Sequence, residues 1–378
     1  MVILQRPGTL LAALPLVLLA ACGSGGGASP SASSSAATAP AGHAVVLVSG
    51  LATQTPYTTT SEKCLTGLSA GNSVSALRDS LIAAGNQVYT APAQAGPGQV
   101  TSTTGIGPSS DCPAPLPADV TIDTTASIDA GGDHLAAFLA YLREQVGVTA
   151  VDLVGHSMGG LFARAAVGGS SGLAGGVEVE SLTTLSTPWT GAYPADYAEG
   201  TLPLSVCGTE PTCLQVLPDY KAKLSEPEGP QGAANGIGTK DLQGPTGWNV
   251  AQGTDLDGIP VTLIAGEYYT LPGGDANVWP NDGIVARSSA LAQGISGAPL
   301  KVRACVVRPD VHTIDLAEGA GLPWTAAVTW DPVVLTAVAE AVQAPGLPSG
   351  ASPLGVGCAT GEAGSSGRDS DSATQMKP

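Results

Sequence analysis

The chain has 378 residues, 43% of them hydrophobic, which is enough for one large core and does not force a second domain. With 31 acidic against 14 basic side chains, a formal net charge of -17, its surface excludes nucleic acid and anionic lipid as electrostatic partners but not uncharged substrates. Only 12% of residues are charged while Gly (51) and Pro (30) abound, so a loop-rich chain solubilised by Ser, Thr and small residues is expected.

The N-terminus reads as an export signal, residues 1–22. Arg6 supplies the positive charge, and Leu10 to Ala21 form an apolar stretch of h-region length, too short for the roughly 20 residues that span a bilayer. It ends in Leu19-Ala20-Ala21-Cys22, which resembles a bacterial lipobox. That resemblance implies a lipidated Cys22 anchoring the protein at the outer face of the cell membrane; the alternative is a plain secretory signal and a secreted protein. Residues 23–42, almost all Gly, Ser, Ala, Thr and Pro, read as a flexible tether, residues 43–345 as the folded domain, and residues 346–378 as a tail expected to be disordered after Cys358.

Setting Cys22 aside leaves Cys64, Cys112, Cys207, Cys213, Cys305 and Cys358. An even set in an exported chain predicts disulfides, and six cysteines allow 15 pairings. Pairing between sequence neighbours is expected, Cys207–Cys213 above all because the loop is short. No C-x-x-C spacing suggests a zinc site.

Within the domain, strand and helix patterns alternate, which predicts a mostly parallel sheet with helices on both faces. Ala44–Val48 is a continuous apolar run, as in a buried parallel strand. Val74, Leu77, Leu81 and Ile82 recur at helical spacing and stop at Gly85. Gln87 to Tyr89 predict a short strand. Leu135, Phe138, Leu139 and Leu142 mark a second helix ending at Gly147, and Val151 to Val154 a strand leading into a Gly-rich turn. Further strands are predicted at Ser181–Ser186, Val261–Ala265 and Val302–Val307, and a closing helix near Val333 to Val342. The stretch of about 189–253 has little periodicity and reads as an inserted cap.

Gly155-His156-Ser157-Met158-Gly159 fits G-x-S-x-G between a strand and a helix, a context more telling than the five letters. With the helix Gly160-Leu161-Phe162-Ala163-Arg164, the run resembles the nucleophile elbow of bacterial α/β-hydrolase lipases and esterases. The resemblance implies the α/β-hydrolase fold and an acyl-enzyme on Ser157. In that fold the partners follow in the order Ser, acid, His. Of the four histidines, His43 and His134 precede the nucleophile and His156 lies inside the elbow, leaving His312 as base. For the acid, Asp282, Glu267 at the end of a predicted strand, and Asp275 are all available. Asn281-Asp282-Gly283-Ile284-Val285 resembles the acid-bearing loop of the lipases and favours Asp282; Glu267 stands as the alternative.

The fold also implies two backbone N–H donors for the oxyanion, from Met158 and from Leu51 in Ser49-Gly50-Leu51, where Ser49 stands in place of the family's usual His. Leu182-Thr183-Thr184-Leu185-Ser186-Thr187-Pro188 resembles the lipase strand that ends in a Thr-Pro corner. Some of these lipases hold a structural calcium through an Asp just after the base and another upstream, so Asp315, Asp255 and Asp257 are the residues to inspect; otherwise no cofactor or metal is expected. The resemblance implies a monomeric exported lipase or esterase acting on lipid or other ester substrates, with no nucleic acid partner. The alternatives are an acyltransferase of the cell envelope using the same triad and a non-catalytic binding lipoprotein that keeps the fold.

Overall fold

β1 (His43–Val48) has every side chain after His43 buried. Ala44, Val46 and Val48 join one core while Val45 and Leu47 join another, the period-two split of a strand covered on both faces. The structure, a computed structural model, describes residues 42–61, 71–100, 114–168, 173–224 and 236–343. The chain divides into Met1–Ala36 and Ala37–Pro378, and every described residue belongs to the second unit. The signal, the tether apart from Gly42, and the tail expected from the sequence, with Cys22, Cys64, Cys112 and Cys358, therefore lie outside the described residues.

From β1 the chain forms α1 (Ser75–Ala83), turns at Gly85 with φ +90°, and enters β2 (Val88–Thr90), one residue later than its pattern predicts. The short β3 (Ala93–Gln94) and β4 (Ile122–Asp123) pair with each other. Ser127 then caps α2 (Ile128–Tyr141) by accepting the Ala130 N–H, one of the donors a helix start leaves unpaired. β5 (Ala150–His156), α3 (Gly159–Val167), β6 (Leu173–Ala174) and β7 (Val177–Leu185) follow.

The region between β7 and β8 (Val261–Gly266), read from sequence as a cap, holds α4 (Tyr193–Ala198), α5 (Pro211–Leu224), α6 (Thr239–Leu242) and α7 (Trp248–Ala251). The chain closes with α8 (Arg287–Ala290), β9 (Val302–Arg308), α9 (Ile314–Gly319) and α10 (Pro332–Gln343).

Among the described residues the main sheet runs β2-β1-β5-β7-β8-β9 with each neighbouring pair parallel; only β6 pairs antiparallel, with β7. Leu135, Phe138 and Leu139 of α2 and Leu161 and Phe162 of α3 fill one face, and Leu77 and Leu81 of α1 with Val334 and Val338 of α10 fill the other. This is the α/β-hydrolase arrangement. The chain leaves β1 outward to β2 and returns to β5 on the opposite side, so the connections diverge between β1 and β5. Ligands of open parallel sheets bind at such a switch point, beyond the carboxyl ends of the strands.

A buried cation joins α3 to the insertion. Arg164 of α3 donates to Asn249 Oδ1 at 2.9 Å, and its guanidinium lies 5.9 Å from the Trp189 ring centroid and 5.5 Å from that of Trp248. Asn249 in turn donates to the Trp189 carbonyl at 2.8 Å. Burial lowers the Arg164 pKa to about 10, which leaves it charged at neutral pH. Cys207 and Cys213 are disulfide-bonded, as their spacing predicts, and Cys305 is also in disulfide form. Among the described residues no helix is long and apolar enough to cross a membrane.

Candidate active site

Only Ser157 and Met158 separate β5 from α3. Ser157 has φ +56°, a left-handed conformation that is costly outside glycine and persists only where its surroundings enforce it. Packing enforces it here. A Cβ on Gly159 would lie 2.3 Å from the Val48 carbonyl oxygen, and one on Gly50 would lie 2.6 Å from the Ser157 Cβ. The β1 and β5 ends thus approach more closely than any side chain permits. The Ser157 N–H donates to the Leu185 carbonyl at 2.8 Å and the Thr187 hydroxyl to the Ser157 carbonyl at 2.8 Å, so the Thr-Pro corner after β7 braces the elbow.

The fold brings together three side chains far apart in sequence. His312 Nε2 is 2.9 Å from Ser157 Oγ, and His312 Nδ1 is 2.7 Å from Asp282 Oδ2. Asp282 is fully buried, and its Oδ1 accepts the Ile284 and Val285 N–H groups at 3.0 and 2.8 Å. Burial pushes its carboxyl upward, but the His312 charge, the His312 hydrogen bond and the Val285 N–H outweigh that and hold it below the ordinary carboxylate value. The Asn281-Asp282-Gly283 segment is also a turn, since Asn281 Oδ1 accepts the Gly283 N–H at 2.8 Å. Tyr193 of α4 pins that turn by donating its hydroxyl to the Gly283 carbonyl at 2.6 Å.

The other two acids point elsewhere. Glu267 pairs with Arg287 at 2.7 Å, both partly exposed, and Asp275 Oδ1 accepts the Asn277 N–H in its own turn. The possible calcium ligands are not assembled either. Asp255 lies by Arg164, Asp315 sits in the first turn of α9 near Glu318, and among the described residues no group of three or more His, Cys, Asp or Glu side chains could hold a metal ion.

The loop after β1 turns back at Ala52, φ +54°, and the Thr53 N–H and hydroxyl both donate to the Gly50 carbonyl. The buried Ser49 hydroxyl bonds Thr55 Oγ1 at 2.6 Å, which ties this residue back into its own loop. Leu51 and Met158 both line the cavity over Ser157, and among the described residues neither N–H is used in a loop or turn hydrogen bond. That cavity measures about 370 Å³. Leu51, Met158, Ile284 and Val285 face it from the sheet side, and Pro188, Ala192 and Ile237 from the insertion, with Tyr220 and Lys223 of α5 also lining it. Such mostly apolar concavities with a few convergent polar groups suit small organic ligands.

His156 lies inside the elbow, the position that excludes it as base in the sequence. Its ring is buried, and its Nε2 lies 3.0 Å from the His312 carbonyl oxygen. Burial, then the neighbouring His312, lower its pKa to about 3, so it is neutral. No spacing rule links residue 156 to the carbonyl of residue 312, and the sequence carried no signal for the contact.

A family described as "Putative serine esterase (DUF676)" matches residues 118–198, a segment that contains the elbow and Ser157 but neither Asp282 nor His312. No curated protein matches the chain in sequence. Among solved structures it is similar to the Bacillus licheniformis lipase BlEst2 in mature form, at 15% identity and a TM-score of 0.40, covering 75% of this chain and 91% of that one. It is also similar to the Paleococcus ferrophilus monoacylglycerol lipase, at 14% identity and a TM-score of 0.38, covering 82% of this chain and 96% of that one.

Proposed function

We propose that this α/β-hydrolase-fold chain is a serine ester hydrolase in which Ser157 is the nucleophile, His312 the general base and Asp282 the acid that orients it. The observation that carries the reading is the continuous chain of hydrogen bonds from Ser157 Oγ through His312 to Asp282, at 2.9 and 2.7 Å. A serine hydroxyl is a weak nucleophile until a neighbouring base takes its proton. His312 Nε2 accepts that proton as Ser157 Oγ attacks the ester carbonyl, and the Asp282 carboxylate stabilises the imidazolium that forms.

The oxyanion of the tetrahedral intermediate faces the N–H groups of Leu51 and Met158, each donor worth about 3 kcal/mol to the transition state. His312 then gives its proton to the departing alcohol. Water, activated by the same base, attacks the acyl-enzyme and releases the acid. The apolar cavity favours an uncharged carboxylic ester with an apolar acyl group, and the insertion between β7 and β8 is the cap that shapes its pocket.

The protein works outside the cytoplasm, as a lipoprotein carried by Cys22 or in secreted form; the Leu19-Ala20-Ala21-Cys22 box and the disulfide support this. Two measurements test the proposal. Purified protein should hydrolyse p-nitrophenyl esters and react once, at Ser157, with a fluorophosphonate probe; a protein inert to both is not a serine hydrolase. Cys22→Ala should release the protein from the membrane fraction or block its processing, and unchanged fractionation would remove Cys22 as the anchor.

A further inference from the structure

We propose that His156 is a positioning residue for the base: its Nε2–H holds the main-chain carbonyl of His312, and its ring backs the His312 imidazole. The inference rests on the triad reading above. A carbonyl can only accept, so the 3.0 Å contact requires the hydrogen on Nε2. The ring centroids lie 4.8 Å apart and tilted by 41°. Nδ1 of His156 is left buried with no hydrogen-bond partner among the described residues, a costly state for a polar atom. A phenyl ring would fill the same space without that cost. What imidazole supplies and phenyl cannot is the donor.

The donor completes a three-point attachment. The His312 N–H donates to the Asp282 carbonyl at 2.9 Å, its Nδ1 meets Asp282 Oδ2 at 2.7 Å, and its carbonyl is taken by His156. With the main chain held on both sides and the ring held at Nδ1, Nε2 has little freedom to leave Ser157 Oγ. The third attachment differs from the other two in where it starts. His156 is bonded to Ser157 in the chain, so the contact ties the loop bearing the base directly to the turn bearing the nucleophile. Their separation is then fixed locally, without passing through the rest of the sheet. Because burial keeps His156 neutral, it adds no positive charge against the imidazolium that forms on His312.

Three variants separate the donor from the ring. His156→Gln places an amide N–H about as far from the backbone as Nε2, His156→Asn reaches only as far as Nδ1, and His156→Phe keeps a ring without a donor. Each is assayed for kcat and KM on p-nitrophenyl butyrate, for the single-turnover rate of fluorophosphonate labelling, and for Tm. Asn and Phe should lower kcat and the labelling rate together by about 10-fold or more with KM within about twofold, as misplaced catalytic groups do, and Gln should recover most of the loss. The proposal is overturned by a Phe variant with wild-type kcat, by a Gln variant no better than Asn, or by a loss confined to KM. If Phe does not fold, the comparison of Gln with Asn decides. Wild-type protein inactive toward both ester and probe would overturn the functional reading itself, whereas active wild type with an unimpaired Phe variant overturns this inference alone.

Discussion

Asp282 Oδ2 lies 2.7 Å from His312 Nδ1 while Oδ1 of the same carboxylate accepts two backbone N–H groups from its own turn. Three hydrogen bonds therefore converge on one fully buried carboxylate, and two of them come from its own loop, which sets its orientation toward His312.

Asp282→Asn should then lower turnover by at least about 100-fold, since the amide favours the wrong imidazole tautomer; the same change costs about 10⁴-fold in a serine protease. Glu267→Gln, which removes only a partly exposed ion pair with Arg287, should change turnover by less than about threefold. Both are measured on one short-chain ester with folding checked by circular dichroism. A crippled Glu267→Gln beside an active Asp282→Asn would exchange the two assignments.

Ser157→Ala and His312→Ala should each remove nearly all esterase activity with the fold intact. Nucleophile and base act as one unit, so the double variant should be barely slower than either single one. Losses that multiply would mean that the two residues act independently.

Gly50→Ala should cost about 10-fold or more in kcat/KM, because its Cβ would lie 2.6 Å from the Ser157 Cβ and 3.0 Å from the Met158 nitrogen, forcing the elbow and the loop after β1 apart. The readout is kcat/KM beside Tm. An alanine variant with wild-type kinetics would show that the loop can move without disturbing the oxyanion donors.

Asp310, buried two residues before His312, faces Asp331, whose Oδ2 accepts from Arg308 Nε at 2.6 Å. Burial, then the Asp331 charge, push the Asp310 carboxyl up to about 8. An unfolded Asp releases its proton near about 3.9. Between these values the folded state binds the extra proton, so this group makes stability fall as pH rises from about 4 to 8. Asp310→Asn keeps a donor toward Asp331 without titrating. It should raise stability at pH 8 by about 1 kcal/mol after solvent screening, or about 2 °C in Tm, with no gain at pH 4. Equal Tm differences at both pH values would mean that Asp310 is not protonated in the folded protein.

The elements legible in the sequence are those whose cause is local. Ala44–Val48 reads as a buried strand because its side chains alternate between two apolar faces, and the Gly85 and Gly147 stops are left-handed turns in the structure. Gly155 and Gly159 belong to a motif whose spacing is the steric requirement of one turn, so Ser157 was legible with them. His312 followed from the chain order that the resemblance implies. The helices of the insertion were not legible: the buried face of α5 includes only Cys213 and Leu217, interrupted by Pro218, too sparse for a periodic signal.

The loop resemblance favours Asp282, but residue type alone leaves Glu267 and Asp275 available, and which carboxylate meets the imidazole depends on how the loops after β8 and β9 fold. The same holds for His156, whose partner is a backbone carbonyl 156 positions away, and for Asp310, whose proton depends on Asp331 across the β9 end. Sequence by itself determined the six strands of the main parallel sheet and the glycine-flanked turn at Ser157, because neighbours along the chain fix those through sterics and periodicity; the order Ser, acid, His came from the resemblance. Tertiary structure alone decided which groups meet, because hydrogen bonds and buried charges act over a few ångströms of space however much chain lies between them.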